Sequence, residues 1–110
     1  MGKVNSAPVF DQEHLARYTM ASVELEREIV GLFLNQLPDL LSHLKAPADA
    51  KEWKLFTHTL KGSAKAVGAM QVAEIATAME DDGPEAGQGA IGRLEAAIEA
   101  FSAVAAATYG

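Results

Sequence analysis

The amino-acid sequence predicts an all-α protein, an antiparallel up-and-down four-helix bundle with a short additional N-terminal helix. Three observations carry this expectation. Apolar residues recur at 3.6-residue spacing through four successive segments, capping residues and Gly or Pro separate those segments at short intervals, and no stretch shows the strict alternation of a strand. No internal repeat is visible.

Each element has its own signals. Asp11 is placed to cap a first, short helix ending near Tyr18, with Phe10 able to staple onto Leu15. Ser22 caps a second helix on which Val30, Phe33, Leu37, Leu40, Leu41 and Leu44 share a face, with a bend expected at Pro38. After a loop over 45–48, Asp49 and Glu52 form a capping-box pattern for a third helix that Gly68 terminates. A fourth helix, from about Met70 to Asp82, is built on Val72, Ile75, Ala76 and Met79, and Gly83-Pro84 leaves room for a tight turn. The last helix buries Ile91, Leu94, Ile98, Phe101 and Ala105, while Gly87, Gly89 and Gly92 weaken its first turns and delay its start.

A chain of 110 residues with 49% hydrophobic content and four prolines fits one core, so residues 1–9 are assigned to a flexible N-terminal segment and 10–108 to the bundle. The absence of cysteine excludes a disulfide framework, thiol catalysis and a thiolate metal site. It also suits a reducing compartment; with no apolar signal-peptide core in residues 1–9 and no span of ~20 apolar residues, the expected location is the cytoplasm.

The net charge of −6 argues against binding to a nucleic-acid backbone, which rests on clustered Lys and Arg. Positive charge is nonetheless concentrated. Residues 51–67 hold four lysines against Glu52 alone, a local +3 on a remainder of −9. Such a patch suits an anionic partner of limited size, although lysines on a helix face often do no more than solvate it.

Within that patch lies His58-Thr59-Leu60-Lys61-Gly62-Ser63-Ala64. At roughly 100° per residue, Trp53, Phe56, Leu60, Ala64 and Val67 fall within an arc of about 80° and form the buried stripe. His58 stands roughly 140–200° from Phe56 and Leu60 and faces solvent. Gly62 is its i+4 neighbour, Lys54 its i−4, Lys61 its i+3, and Lys65 lies two turns along, so three ammonium groups border one imidazole. A mid-helix glycine costs about 1 kcal/mol relative to alanine. The position therefore needs the absence of a side chain, as it would if something had to come close.

Other chemistries fit less well. A di-metal carboxylate bundle needs two inward Glu-x-x-His pairs, and the chain has none. Asp11-x-x-His14 and Asp39-x-x-x-His43 have workable spacings but read as surface histidines, and Glu80-Asp81-Asp82, at a helix C-terminus where the dipole disfavours negative charge, reads as a solvated loop edge. Ser63 lies beside the buried stripe as a packing residue, and no glycine loop of the nucleotide-binding kind is present. No metal-binding or cofactor-binding residue is assigned.

The pattern His58, Leu60, Lys61, Gly62, Ser63 and Ala64, with Phe33…Pro38…Leu41 in the preceding helix and Met79-Glu80 in the following one, resembles the histidine-containing phosphotransfer (HPt) domain family over nearly the whole chain. Thr57 departs from it, since many members carry Ala or Arg there, and is a position from which partner fit could be altered. The resemblance implies a phosphocarrier, a histidine phosphotransferase without its own catalytic centre, in a multistep two-component phosphorelay. His58 would be the phosphoacceptor, taking a phosphoryl group from a receiver-domain phospho-aspartate and passing it to another receiver. Lys61 and Lys65 would steady the phosphate, and Lys54, Gly62, Lys61 and Lys65 would meet the partner. The implied partners are response-regulator receiver domains and/or a hybrid histidine kinase, met transiently by a monomer, with no nucleic acid and no membrane involved. No cofactor is expected on this chain, Mg2+ being expected on the partner receiver. The alternative is a phosphorylation-independent interaction or adaptor module with an HPt-like fold.

Overall fold

The structure, a computed structural model, describes residues 7–110. It is an all-α bundle of α1 (Gln12–Thr19), α2 (Val23–Lys45), α3 (Ala50–Val67), α4 (Met70–Gly87) and α5 (Ile91–Tyr109), with a 3-10 turn at Gln88–Ala90. Short connections force the four long helices to alternate in direction. Going round the bundle, α3 packs on α2 and most extensively on α4, and α5 closes the ring between α4 and α2. The short α1 lies across the end where α2 begins and α3 finishes.

The caps are where the sequence put them. Asp11, Ser22 and Asp49 each accept a backbone N–H three residues on, at 3.1, 3.3 and 2.8 Å. Gly68 adopts a left-handed φ of 89°, and its carbonyl accepts the Asp11 N–H at 2.7 Å, fixing the start of α1 to the end of α3. Two local expectations are corrected. Glu52 does not close a capping box onto Asp49; its carboxylate accepts instead from Ala48 N–H at 3.3 Å and lies 3.1 Å from His43 Nδ1. Phe10 packs against the core that includes Leu15 and meets Phe101 edge-to-face, with centroids 5.2 Å apart. Residues 1–6 of the expected flexible segment lie outside the described residues, but its last part is tied down, since Gln71 donates to the carbonyls of both Pro8 and Ala7 at 3.1 Å.

The core runs the length of the bundle through Phe33, Leu37, Trp53, Leu60, Met79, Leu94 and Phe101. α2 passes unbroken through Pro38, whereas α4 is interrupted at Gly83 (φ 85°, ψ 172°) immediately before Pro84. One polar group belongs to this interior. Glu26 is only 2% exposed, and its carboxylate accepts from Gln12 Nε2 (3.1 Å), Thr19 Oγ1 (3.3 Å) and the Tyr109 hydroxyl (2.8 Å). Arg27 adds a two-pronged bond from Nε and Nη2 to the Tyr109 carbonyl, at 3.1 and 2.9 Å. A buried carboxylate this well satisfied ties α1, α2 and α5 together at one end, and no described buried side-chain polar atom lacks a partner.

Candidate functional site

The geometry of α3 decides what can be reached from outside. Trp53, Thr57, Leu60, Ala64 and Val67 form its buried face. Phe56, expected in that stripe, is only partly buried and stacks face-to-face on His43, with centroids 4.1 Å apart and planes 5° from parallel. The position next to it in sequence takes its place. Thr57 is fully buried, its hydroxyl donating back to the Trp53 carbonyl at 2.9 Å. It points into the core, so it does not meet a partner directly, and its polarity is satisfied within its own helix.

His58 projects from the opposite side with its side chain 67% exposed. Across the α3–α4 groove stands Glu80, 14% exposed, with Oε1 3.0 Å from Lys61 Nζ and Oε2 3.6 Å from His58 Nδ1. The first is a charge-assisted hydrogen bond; the second is a close contact somewhat longer than one. The Lys61 ammonium holds the Glu80 carboxyl below its ordinary value by hydrogen bonding, partial burial works against this, and the charges of Lys61, His58 and Lys54 add to the lowering. Glu80 is thus an anion fixed beside Nδ1. The outer nitrogen, Nε2, is left toward solvent, with a lone pair available whenever Nδ1 carries the proton.

Lys54 and Lys65 are exposed on the same face and, among the described residues, have no carboxylate within ion-pair distance. Gly62 is exposed within regular helix, and a Cβ built there would meet nothing within 4 Å. Its lack of a side chain answers no packing demand inside the protein. The structure therefore brings His58, Lys61 and Gly62 together with Lys54 and Lys65 as flanking cations.

The two flanks of His58 differ. Toward α4 lie Lys61 and Glu80. Toward α2, within about 100° of His58 round the helix, come Leu55, Gly62, Thr59 and Ala66. Beside them α2 contributes Ile29, Leu32 and Gln36 to a shallow groove completed by Ser63, Ala66 and Val67. Leu32 and Leu55 are each 59% exposed, a high value for leucines so close to a polar site.

Glu80 is the residue sequence reasoning missed, having grouped it with Asp81 and Asp82 at a solvated edge. Those two are exposed, but Glu80 follows buried Met79 on the side of α4 that faces α3. The signal was its register, one position from a core residue. Of the other histidines, His43 is partly buried between Phe56 and Glu52, and His14 rests edge-on against Tyr18. Among the described residues no three His, Cys, Asp or Glu side chains converge as a metal site.

The bundle thus offers an imidazole to solvent, with a carboxylate behind it and lysines around it. The Hpt domain family model matches residues 28–104, and the chain belongs to that family. Comparison with curated proteins and with solved structures gives no match. At the level of the family, this is a phosphocarrier module for histidine phosphotransfer in phosphorelay signalling. No described helix is long and apolar enough to cross a membrane.

Proposed function

We propose that this chain accepts a phosphoryl group on His58 from a receiver-domain phospho-aspartate and passes it to a second receiver. The observation that carries the reading is the pairing of a two-thirds exposed imidazole with a mid-helix glycine, Gly62, whose open flank serves no packing within the fold. A large partner able to approach His58 closely accounts for both.

The transfer balances on this chain with no proton transferred. With Nδ1 protonated and facing Glu80, the Nε2 lone pair attacks phosphorus; the P–N bond forms as the P–O bond to the aspartyl carboxylate breaks and that carboxylate leaves with the electron pair. The ring becomes cationic, and Glu80, 3.6 Å from Nδ1, offsets the new charge. Reversal with a second aspartate completes the relay. Lys61 and Lys65 steady the phosphoryl oxygens and Lys54 adds to the field, while in-line geometry and the divalent metal are supplied by the receiver. Glu80 acts as a positioning residue, since it touches the imidazole and not the phosphoryl group.

The α2–α3 flank is the natural docking side. It offers exposed Leu32 and Leu55 with small residues between them, an apolar centre beside a charged rim. Wild type and His58→Gln are to be incubated with a panel of phosphorylated receivers, following acid-labile, alkali-stable phosphate. Label on wild type alone is the expected result; no transfer from any receiver to folded wild type would leave the adaptor reading in its place.

A further inference from the structure

The packing of α4 on α3 brings the Glu80 carboxylate to His58, and one buried bond joins the two helices beside it. Trp53, 1% exposed and one turn before Thr57, donates its indole N–H to the Met79 carbonyl at 3.0 Å. Met79 is the residue before Glu80. The next carbonyl, that of Glu80, has no i+4 donor because Pro84 carries no N–H, and Gly83 leaves helical geometry just before it. The ring itself has little freedom: Gly87 lies against it so closely that a Cβ there would run into Cζ2 and Cη2.

We propose that Trp53 is a positioning residue for the transfer centre, fixing Met79–Glu80 along α3 so that one carboxylate meets both Lys61 Nζ and His58 Nδ1. This rests on the reading of Glu80 given above. At 3.6 Å the Glu80–His58 contact is longer than a hydrogen bond, so the height of α4 decides how readily the Glu80 side chain closes it. A second bond in the same corner, Lys61 to Glu80 at 3.0 Å, cannot set the height alone, because both of its side chains are long and rotatable.

The chain contains one tryptophan, so growth of a tryptophan auxotroph on benzothienylalanine replaces the indole N–H by sulfur at this position alone and keeps the bicyclic shape. Wild type, the analogue protein and Glu80→Gln are compared by circular dichroism, by NMR of the His58 ring nitrogens, and by the rate of His58 loading from phosphoramidate. That donor needs no docking surface. The expected result is a folded analogue protein whose Nδ1–H tautomer population and loading rate both fall at least twofold, toward the Glu80→Gln values. A folded analogue protein that loses stability yet keeps wild-type tautomer and loading rate overturns the proposal, since Trp53 would then serve the core only. If Glu80→Gln itself leaves the tautomer unchanged, the Glu80 reading fails and this inference with it; if Glu80→Gln shifts it and the analogue does not, only the inference fails. Should the analogue protein not fold, Trp53→Phe is read by the same criteria, and unfolding of both overturns a purely positioning role.

Discussion

Replacing Gly62 separates what the fold needs from what a partner needs. Gly62→Ala introduces a Cβ into space that is empty to 4 Å, in a residue with ordinary helical backbone. The helix-propensity difference should therefore appear undiminished, about 0.8–1 kcal/mol in favour of alanine. With an unfolding entropy of roughly 2 cal/mol/K per residue, that gain raises Tm by about 4 °C in a chain of 110 residues. Gly62→Gln should also be at least as stable as wild type, because glutamine is likewise a better helix former and its side chain points into solvent. Transfer should respond in the opposite sense. The longer side chain stands one turn from His58 and beside the Leu55–Ala66 strip, and displacing a docked receiver by about 1 Å costs on the order of a hundredfold in rate. Thermal and urea unfolding measure the first effect, and transfer from a phosphorylated receiver at varied receiver concentration measures the second, as a fall in kcat/KM. Loss of stability in Gly62→Ala, or wild-type transfer by Gly62→Gln, would refute the reasoning.

Three further outcomes follow from the same geometry. Lys61→Ala should slow receiver-dependent transfer about tenfold, equivalent to roughly 1.4 kcal/mol of transition-state stabilisation, while secondary structure by circular dichroism stays intact. Tyr109→Phe removes a 2.8 Å donor from buried Glu26 and should lower urea stability by about 1–3 kcal/mol. Burial pushes the Glu26 carboxyl up, but hydrogen bonds from Tyr109, Gln12 and Thr19 outweigh it and leave the group below its ordinary value; its contribution is therefore present above about pH 4.5 and lost as pH falls through the lowered value. Burial and the Glu26 bond push the Tyr109 hydroxyl up, so stability should also fall as pH rises above about 10, and an unfolding-against-pH series on wild type and Tyr109→Phe checks both limbs. Gly68→Ala forces a Cβ to 2.5 Å from the Asp11 carbonyl oxygen at a φ of 89°. It should cost more than the roughly 1–2 kcal/mol of a left-handed residue alone, read from urea midpoints, by parting α1 from α3.

Much of this was legible in the sequence because it was written in local chemistry. Caps at Asp11, Ser22 and Asp49, the stop at Gly68 and the delayed start of α5 are each decided within a few residues. The outward direction of His58 follows from helical period alone. What was not legible depends on which helices meet. Thr57 and Phe56 are one step apart on the wheel, and only the position of α4 beside Trp53 decides that the threonine is inside and the phenylalanine against His43. Buried Glu26 has no local signal, since its three donors come from positions 12, 19 and 109. Glu80 was misjudged for the same reason: its role appears only when α4 is laid against α3.

The charge arrangement also bears on why a carrier should keep a carboxylate so near its acceptor nitrogen. On the proposed reading, a phosphoryl group on Nε2 adds about two negative charges, which Glu80 repels even as it offsets the cationic ring formed on attack. Lys61 already gives one of its three N–H donors to Glu80 at 3.0 Å, so it meets the incoming group with the others, beside Lys54 and Lys65. Both are exposed, and screening keeps the attraction of exposed ions modest. A fully buried cationic pocket would hold the phosphoryl group tightly and release it slowly. Here the repulsion from Glu80 and the screened attraction from the lysines oppose one another. On the proposed reading, that opposition suits a carrier that has both to take up a phosphoryl group and to give it up.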